Sequence, residues 1–218
     1  MKQVVSISLG PESLDCSFRV KFLGQNIRVT RIGTDGRFSR AETLIREWRD
    51  RVDAMGLGRL REHYTVGTNF FPQEKTRKLE QLAGEMPVTT GTRLREIVQE
   101  WSLRSAQLEL GNIFNNAKVL FLSGTSNYKL ASVMQEYTDN LSFADPVLQF
   151  GAPGLLHSLD ALELYAAGSH PIIRFDTARK LLPALAPARL LGHKLLRDAV
   201  RDAHVVVATW DQLEVYSQ

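Results

Sequence analysis

The chain has 218 residues and a mass of 24.5 kDa, enough for one large α/β unit or two modest domains. Its residues are 44% hydrophobic and 23% charged, with 15 glycines and 8 prolines, which excludes disordered, collagenous and mucin-like chains. The 27 basic and 24 acidic side chains leave a net charge of +3, too small for long-range attraction to phosphate polymers, so nucleic acid is not an expected partner.

The first strand is expected over 4–9. From 15 to 23 the residues alternate, with Cys16, Phe18, Val20 and Phe22 on one face and Ser17, Arg19 and Lys21 on the other, the period of a half-buried strand. Cys16 then reads as a core residue, and as the only cysteine it cannot form an internal disulfide. Gly24-Gln25-Asn26 supplies a hairpin turn into a strand over 27–32. Ser39 and Glu42 have the spacing of a capping box, which predicts a helix from there to about Arg51. A short buried strand over 52–57 and a helix begun by Pro72 and running to Ala83 come next. After a strand over 87–90, Thr92 opens a longer helix with an apolar stripe of Leu94, Ile97, Val98, Trp101 and Leu108.

Gly111 to Asn116 is rich in residues that end helices and favour turns, and marks the expected domain junction. Past it, 118–123 is a continuous apolar run of buried parallel-strand type, and Ser126 is placed to cap the following helix. A strand over 142–150 interrupted by Pro146, helices over 155–167, 177–185 and 188–203, and a strand over 204–209 complete the order. Strands alternating with helices predict a parallel sheet with right-handed crossovers. The fold expected is therefore α/β: a small mixed-sheet domain over 1–113, followed by a truncated Rossmann-like parallel-sheet domain over 114–218.

A dinucleotide fold places a glycine-rich turn after its first strand, where backbone N–H groups meet a pyrophosphate, and an acidic residue about 20 positions on for the ribose. Gly124, Thr125, Ser126 and Asn127 occupy that turn here, and Asp145 lies at the matching remove. The turn has one glycine where the fingerprint has three, so an ordinary structural turn is the competing reading. The histidines have no metal-ligand spacing, and no metal is expected. No nucleophile elbow or Walker loop occurs either.

The segments VVSISLG, RIGTDG, VDAMGLG, PVTTGTRLREIVQEW, KVLFLSGTSNYKLASVMQEY and FADPVLQFGAPGLLHSL, in that order, resemble the shikimate and quinate dehydrogenases, in particular bacterial quinate 5-dehydrogenase-like proteins. The resemblance implies an N-terminal domain for a small polyol acid and a second domain for NAD or NADP. It also implies a lysine from an N-x-T-x-P-x-K motif paired with an aspartate from N-T-D-G. Asn69 and Lys75 keep the asparagine-to-lysine spacing, with Pro72 one place early, and Thr90 stands where the aspartate would be. A hydroxyl cannot support a lysine electrostatically as a carboxylate does. The expectation is an NAD(P)-dependent dehydrogenase-like protein with eroded motifs, or else a catalytically silent relative serving as a binding or structural subunit, in which Lys75 is a solvated charge.

The last expectations concern partners and location. The 33 residues from Pro171 to Ala203 hold seven basic and three acidic side chains, and Arg189, His193, Arg197 and Arg201 recur every fourth position beside a row of Leu191, Leu195 and Ala199. A solvated amphipathic face is the reading preferred. A strand at 205–209 lying on a sheet edge predicts that Ala188 to Gln218 packs against a second copy or a larger assembly. No apolar run reaches the roughly 18 residues that span a bilayer, and Met1 to Leu9 makes a poor signal peptide, so a cytoplasmic location is expected.

Overall fold

The structure, a computed structural model, describes residues 1–174, 186–209 and 212. The helix expected over 177–185 and most of the tail from Trp210 lie outside the described residues. The fold is α/β in two compact units, one formed by Met1–His63 with Pro72–Arg95 and the other by Tyr64–Phe71 with Glu96–Gln218.

The first unit is built on a five-stranded mixed sheet. Its strands are β1 (Lys2–Ser8), β2 (Cys16–Phe22), β3 (Gln25–Gly33), β4 (Ala54–Gly58) and β7 (Val88–Thr89), in the order β2-β3-β1-β4-β7. Only β2 and β3 are antiparallel; β1 runs parallel to both β3 and β4. Alternation along β1 sends Val5 and Ile7 to the core, where they meet Met55 and Leu57 of β4. Helices α1 (Phe38–Trp48) and α2 (Glu74–Ala83) cover that face with Ala41, Ile45, Leu79 and Ala83.

Several local expectations are corrected here. β2 has the period of a half-buried strand, yet all seven of its residues are exposed, Cys16 among them. It lies at the sheet edge, and the core cluster under α1 and α2 draws on β1 and β4 instead. The hairpin turns at Leu23 and Gly24, both with positive φ, one residue earlier than Gly24-Gln25-Asn26. Helix α1 begins at Phe38 without a side-chain cap, so Ser39 is a helical residue and no capping box forms. Pro72 ends a strand, β6 (Asn69–Pro72), which pairs with β5 (His63–Val66) in a hairpin that the sequence reading lacks.

The second unit holds a parallel sheet of β8 (Val119–Phe121), β9 (Leu141–Phe143) and β10 (Val205–Val207) in the order β10-β8-β9. β8 is buried on both faces, as its unbroken apolar run requires. Val119 and Phe121 enter one core with Leu103 of α3 (Thr92–Glu109), Ala131 of α4 (Tyr128–Met134) and Leu162 of α6 (Leu159–Arg174). Leu120 and Leu122 enter a second core with Val147 of α5 (Asp145–Phe150) and Leu196 of α7 (Ala186–Asp202). The expected strand over 142–150 stops at Phe143, because Pro146 suits the first turn of α5. On α7 Leu196 is fully buried, and Leu191 of the expected apolar row faces solvent.

Helix α3 has the predicted bounds at its start and the predicted period. Its buried residues, however, include Thr92, Leu103 and Gln107, and the apolar stripe of Leu94, Ile97, Val98, Trp101 and Leu108 faces outward.

Candidate functional site

In the second unit the chain leaves β8 toward β9 on one side and returns to β10 on the other. This is the topological switch at which open α/β sheets bind ligands, beyond the carboxyl ends of the strands. Three elements converge there: the turn after β8, the start of α5 after β9, and the residues after β10.

The turn after β8 runs through Ser123 and Gly124 into a 3-10 turn, Thr125–Asn127, ahead of α4. Asn127 closes it by donating from Nδ2 to the Ser123 carbonyl at 2.8 Å. Ser126 lies within the 3-10 turn, and Asn127 takes the N-cap position of α4 without a side-chain cap bond, so the cap expected from Ser126 is corrected. Gly124 has a helical φ of −64°, which any residue adopts. What demands glycine is space: a Cβ there would collide with Phe143 Cδ1 and lie 2.9 Å from Leu162 Cδ2.

Asp145, the first residue of α5, reaches back into this turn and is buried there. Its Oδ2 accepts from the Gly124 N–H at 2.7 Å, and its Oδ1 accepts from the Thr125 N–H at 3.0 Å and the Thr125 hydroxyl at 2.6 Å. Gln149 extends the network: Tyr165 donates its hydroxyl to Gln149 Oε1 at 2.7 Å, and Gln149 Nε2 lies 3.5 Å from Asp145 Oδ1. Burial pushes the Asp145 carboxyl above its ordinary value, and the donors from Thr125 and Gly124 pull the other way. Burial, followed by the charge of Asp145, also raises the Tyr165 hydroxyl.

On the far side, Gln212 bridges the ends of β8 and β10. Its Nε2 donates to Ser123 Oγ at 2.7 Å, and its Oε1 accepts from the Thr209 N–H at 3.1 Å. Glutamines have no motif, so Gln149 and Gln212 carry no sequence signal. Of the five predicted cofactor residues, Gly124, Thr125 and Asp145 are directly bonded to one another, and Asn127 shapes the same turn.

A pyrophosphate at this turn would need the N–H groups of Gly124 and Thr125. Both are spent on the Asp145 carboxylate, which stands where an anionic ligand would stand, and Phe143 and Leu162 crowd the glycine. The residues present do not fit a dinucleotide in this arrangement.

The other candidates divide between the units. Asn69 begins β6, half-buried, and belongs to the second unit. Lys75 and Thr90 belong to the first. Lys75 is exposed in the first turn of α2, whose buried residues are Thr76, Leu79 and Ala83. Thr90 is buried; its hydroxyl donates to Glu62 Oε1 at 3.0 Å and lies 2.7 Å from the Thr92 hydroxyl. Thr90 thereby also accepts from the Thr92 N–H at 3.3 Å and anchors the start of α3. Glu62, for which the sequence carries no motif, brings a carboxylate within hydrogen-bond distance of Thr90. Burial and, secondarily, Glu62 raise the Glu80 carboxyl.

Among the described residues no group of three or more His, Cys, Asp or Glu side chains could hold a metal ion, and no helix is long and apolar enough to cross a membrane. No curated protein and no solved structure matches the chain. Residues 3–90 match a family described as domain of unknown function DUF8753, and residues 93–218 match one described as domain of unknown function DUF8754. The two matches meet at the start of α3, and since the second spans more than half of the sequence, the chain belongs to the DUF8754 family.

Proposed function

We propose that the chain is a relative of the shikimate and quinate dehydrogenases that is catalytically silent and serves as a binding or structural subunit. The observation that carries this reading is the Asp145 carboxylate held by the Gly124 and Thr125 N–H groups. An enzyme that binds NAD or NADP through this turn needs those donors free, whereas here they tie the end of β9 to the end of β8. The exposed Lys75 and the threonine at position 90 agree with a lost proton-transfer pair. The proposed location is the cytoplasm, and a docking surface within Ala188 to Gln218 belongs to the same reading.

One contact favours a second reading. Glu62 lies within hydrogen-bond distance of Thr90, so the first unit retains a carboxylate near the catalytic position of the dehydrogenases. On that reading the protein still oxidises a small polyol acid, with NAD or NADP as the hydride acceptor. Thermal melting with millimolar NAD or NADP, together with a turnover assay on quinate and shikimate, separates the two. The silent subunit shows no shift in melting and no turnover, and Lys75→Ala changes neither. Turnover that Lys75→Ala or Glu62→Gln abolishes, or a melting shift with either dinucleotide, favours the enzyme.

A further inference from the structure

Strand β2 is open along its outer edge. Its hairpin with β3 closes on a two-residue loop, Leu23 and Gly24, both with positive φ, so that Phe22 pairs with Gln25. In such a hairpin the closing pair exchanges both backbone hydrogen bonds, and bonded pairs alternate with unbonded ones along the antiparallel ladder. The N–H and C=O groups of Ser17, Arg19 and Lys21 therefore point away from β3, toward the side on which β2 has no neighbouring strand. Three alternate residues thus offer a ladder to a further strand.

The side chains select which strand fits. On one face of the hairpin Arg19 stands directly opposite Arg28, an arrangement in which like charges repel, and Lys21 lies one pair along, opposite Asn26. The pair on the other side, Ser17 and Thr30, is uncharged, with the two hydroxyls 3.1 Å apart. Among the described residues none of the three cations forms a salt bridge. On the opposite face Phe18, Val20 and Phe22 are exposed beside Val29 and Ile27 of β3, and none of these five belongs to a core cluster. A strand added to β2 meets cations on one face and apolar side chains on the other, so its own residues alternate between acidic and apolar. A second copy does not satisfy that pattern: β2 paired antiparallel with itself over its full length sets Arg19 against Arg19 and Lys21 against Ser17. The cations that complement an acidic strand turn a copy of the chain away.

We infer that β2 is the docking edge for an extended segment of a partner protein in which glutamate or aspartate alternates with apolar residues, added antiparallel so that an acid lies opposite Arg19 and another opposite Lys21. The inference concerns the first unit alone. It goes beyond the silent-subunit reading and holds whether or not the chain turns over a polyol acid.

Fluorescence anisotropy tests it, with the full chain titrated into a labelled peptide as long as β2 that alternates glutamate with valine. The expected result is saturable binding that weakens as salt rises. Arg19→Glu combined with Lys21→Glu, both at exposed positions, leaves the circular dichroism spectrum unchanged, lowers the affinity about tenfold and brings binding of a peptide that alternates lysine with valine. Methylating the peptide's glutamate nitrogens, which donate to β2, removes binding, whereas methylating its valine nitrogens, which point away, preserves it. Absence of saturable binding by the glutamate peptide overturns the inference. So does an affinity that the double charge reversal leaves unchanged, or equal loss from the two methylations. Capture of the chain by phosphatidylserine vesicles through Arg19 and Lys21, with the peptide ignored, also overturns it and assigns the cations to a membrane surface.

Discussion

Replacing Asp145 with alanine separates the two things its carboxylate does, which are to hold the turn and to fill an anion site. The variant leaves the Gly124 and Thr125 N–H groups and the Thr125 hydroxyl without their acceptor. Gly124 is buried and Thr125 half-buried, so water replaces the acceptor at Thr125 more readily than at Gly124. An orphaned buried donor costs about 1 to 3 kcal/mol, and the desolvation of the carboxylate, which the variant relieves, offsets part of that. A net loss of about 1 to 2 kcal/mol lowers the melting temperature by about 2 to 8 °C in a chain of this size. The second effect carries the opposite sign: the freed groups donate to an added anion, so inorganic phosphate or pyrophosphate restores the variant's melting temperature and leaves the parent unchanged. At 100 times its dissociation constant an anion restores about 2.7 kcal/mol. Differential scanning calorimetry across a pyrophosphate series, at fixed ionic strength, reads both. A variant as stable as the parent, or one indifferent to pyrophosphate, refutes the view that Asp145 plugs an anion site.

The remaining expectations are smaller. Gly124→Ala forces a Cβ against Phe143 and Leu162 and costs about 1 to 3 kcal/mol by overpacking, read as a lower urea midpoint with an unchanged slope. Burial, followed by the hydrogen bond to Glu163, pushes the Tyr128 hydroxyl up to about 12. Its contribution to stability is thus complete below the ordinary tyrosine value of about 10 and is lost as pH rises through about 12, and tyrosinate absorbance will show Tyr128→Phe removing a late-titrating group. Exposed Cys16 reacts with a maleimide as fast in the native chain as in denaturant; a native-state rate slowed a hundredfold contradicts the exposed edge strand.

Elements were legible where one physical requirement dominates. From Val119 to Leu122 no polar residue occurs because both faces of β8 are buried, which is the pattern of a central strand in a parallel sheet. Periodicity fared differently. It marks that a strand or helix has two faces without saying which face meets a partner, and so β2 and α3 had correct periods while their apolar faces turned out to be exposed. Pro146 was ambiguous for a related reason: it ends a strand and starts a helix equally well, and only the pairing of β9 decides between them. At the site, spacing alone connected Asp145 to the turn at Gly124. Spacing did not reveal the bond itself: a carboxylate beyond β9 can reach the turn's N–H groups as readily as a ribose, and here Asp145 accepts from both. Glu62 and Gln212 act through single long-range bonds that no local pattern encodes.

The central claim is that the Gly124 and Thr125 N–H groups are occupied by the chain's own carboxylate. Nitrogen–proton correlation spectra of the labelled chain, recorded as NAD and then NADP are added to millimolar concentration, observe those two groups directly. The account predicts that both resonances stay in place with the dinucleotides and move in Asp145→Ala. Saturable movement of the Gly124 and Thr125 signals in the parent chain, at dinucleotide concentrations that leave distant amides still, would contradict it.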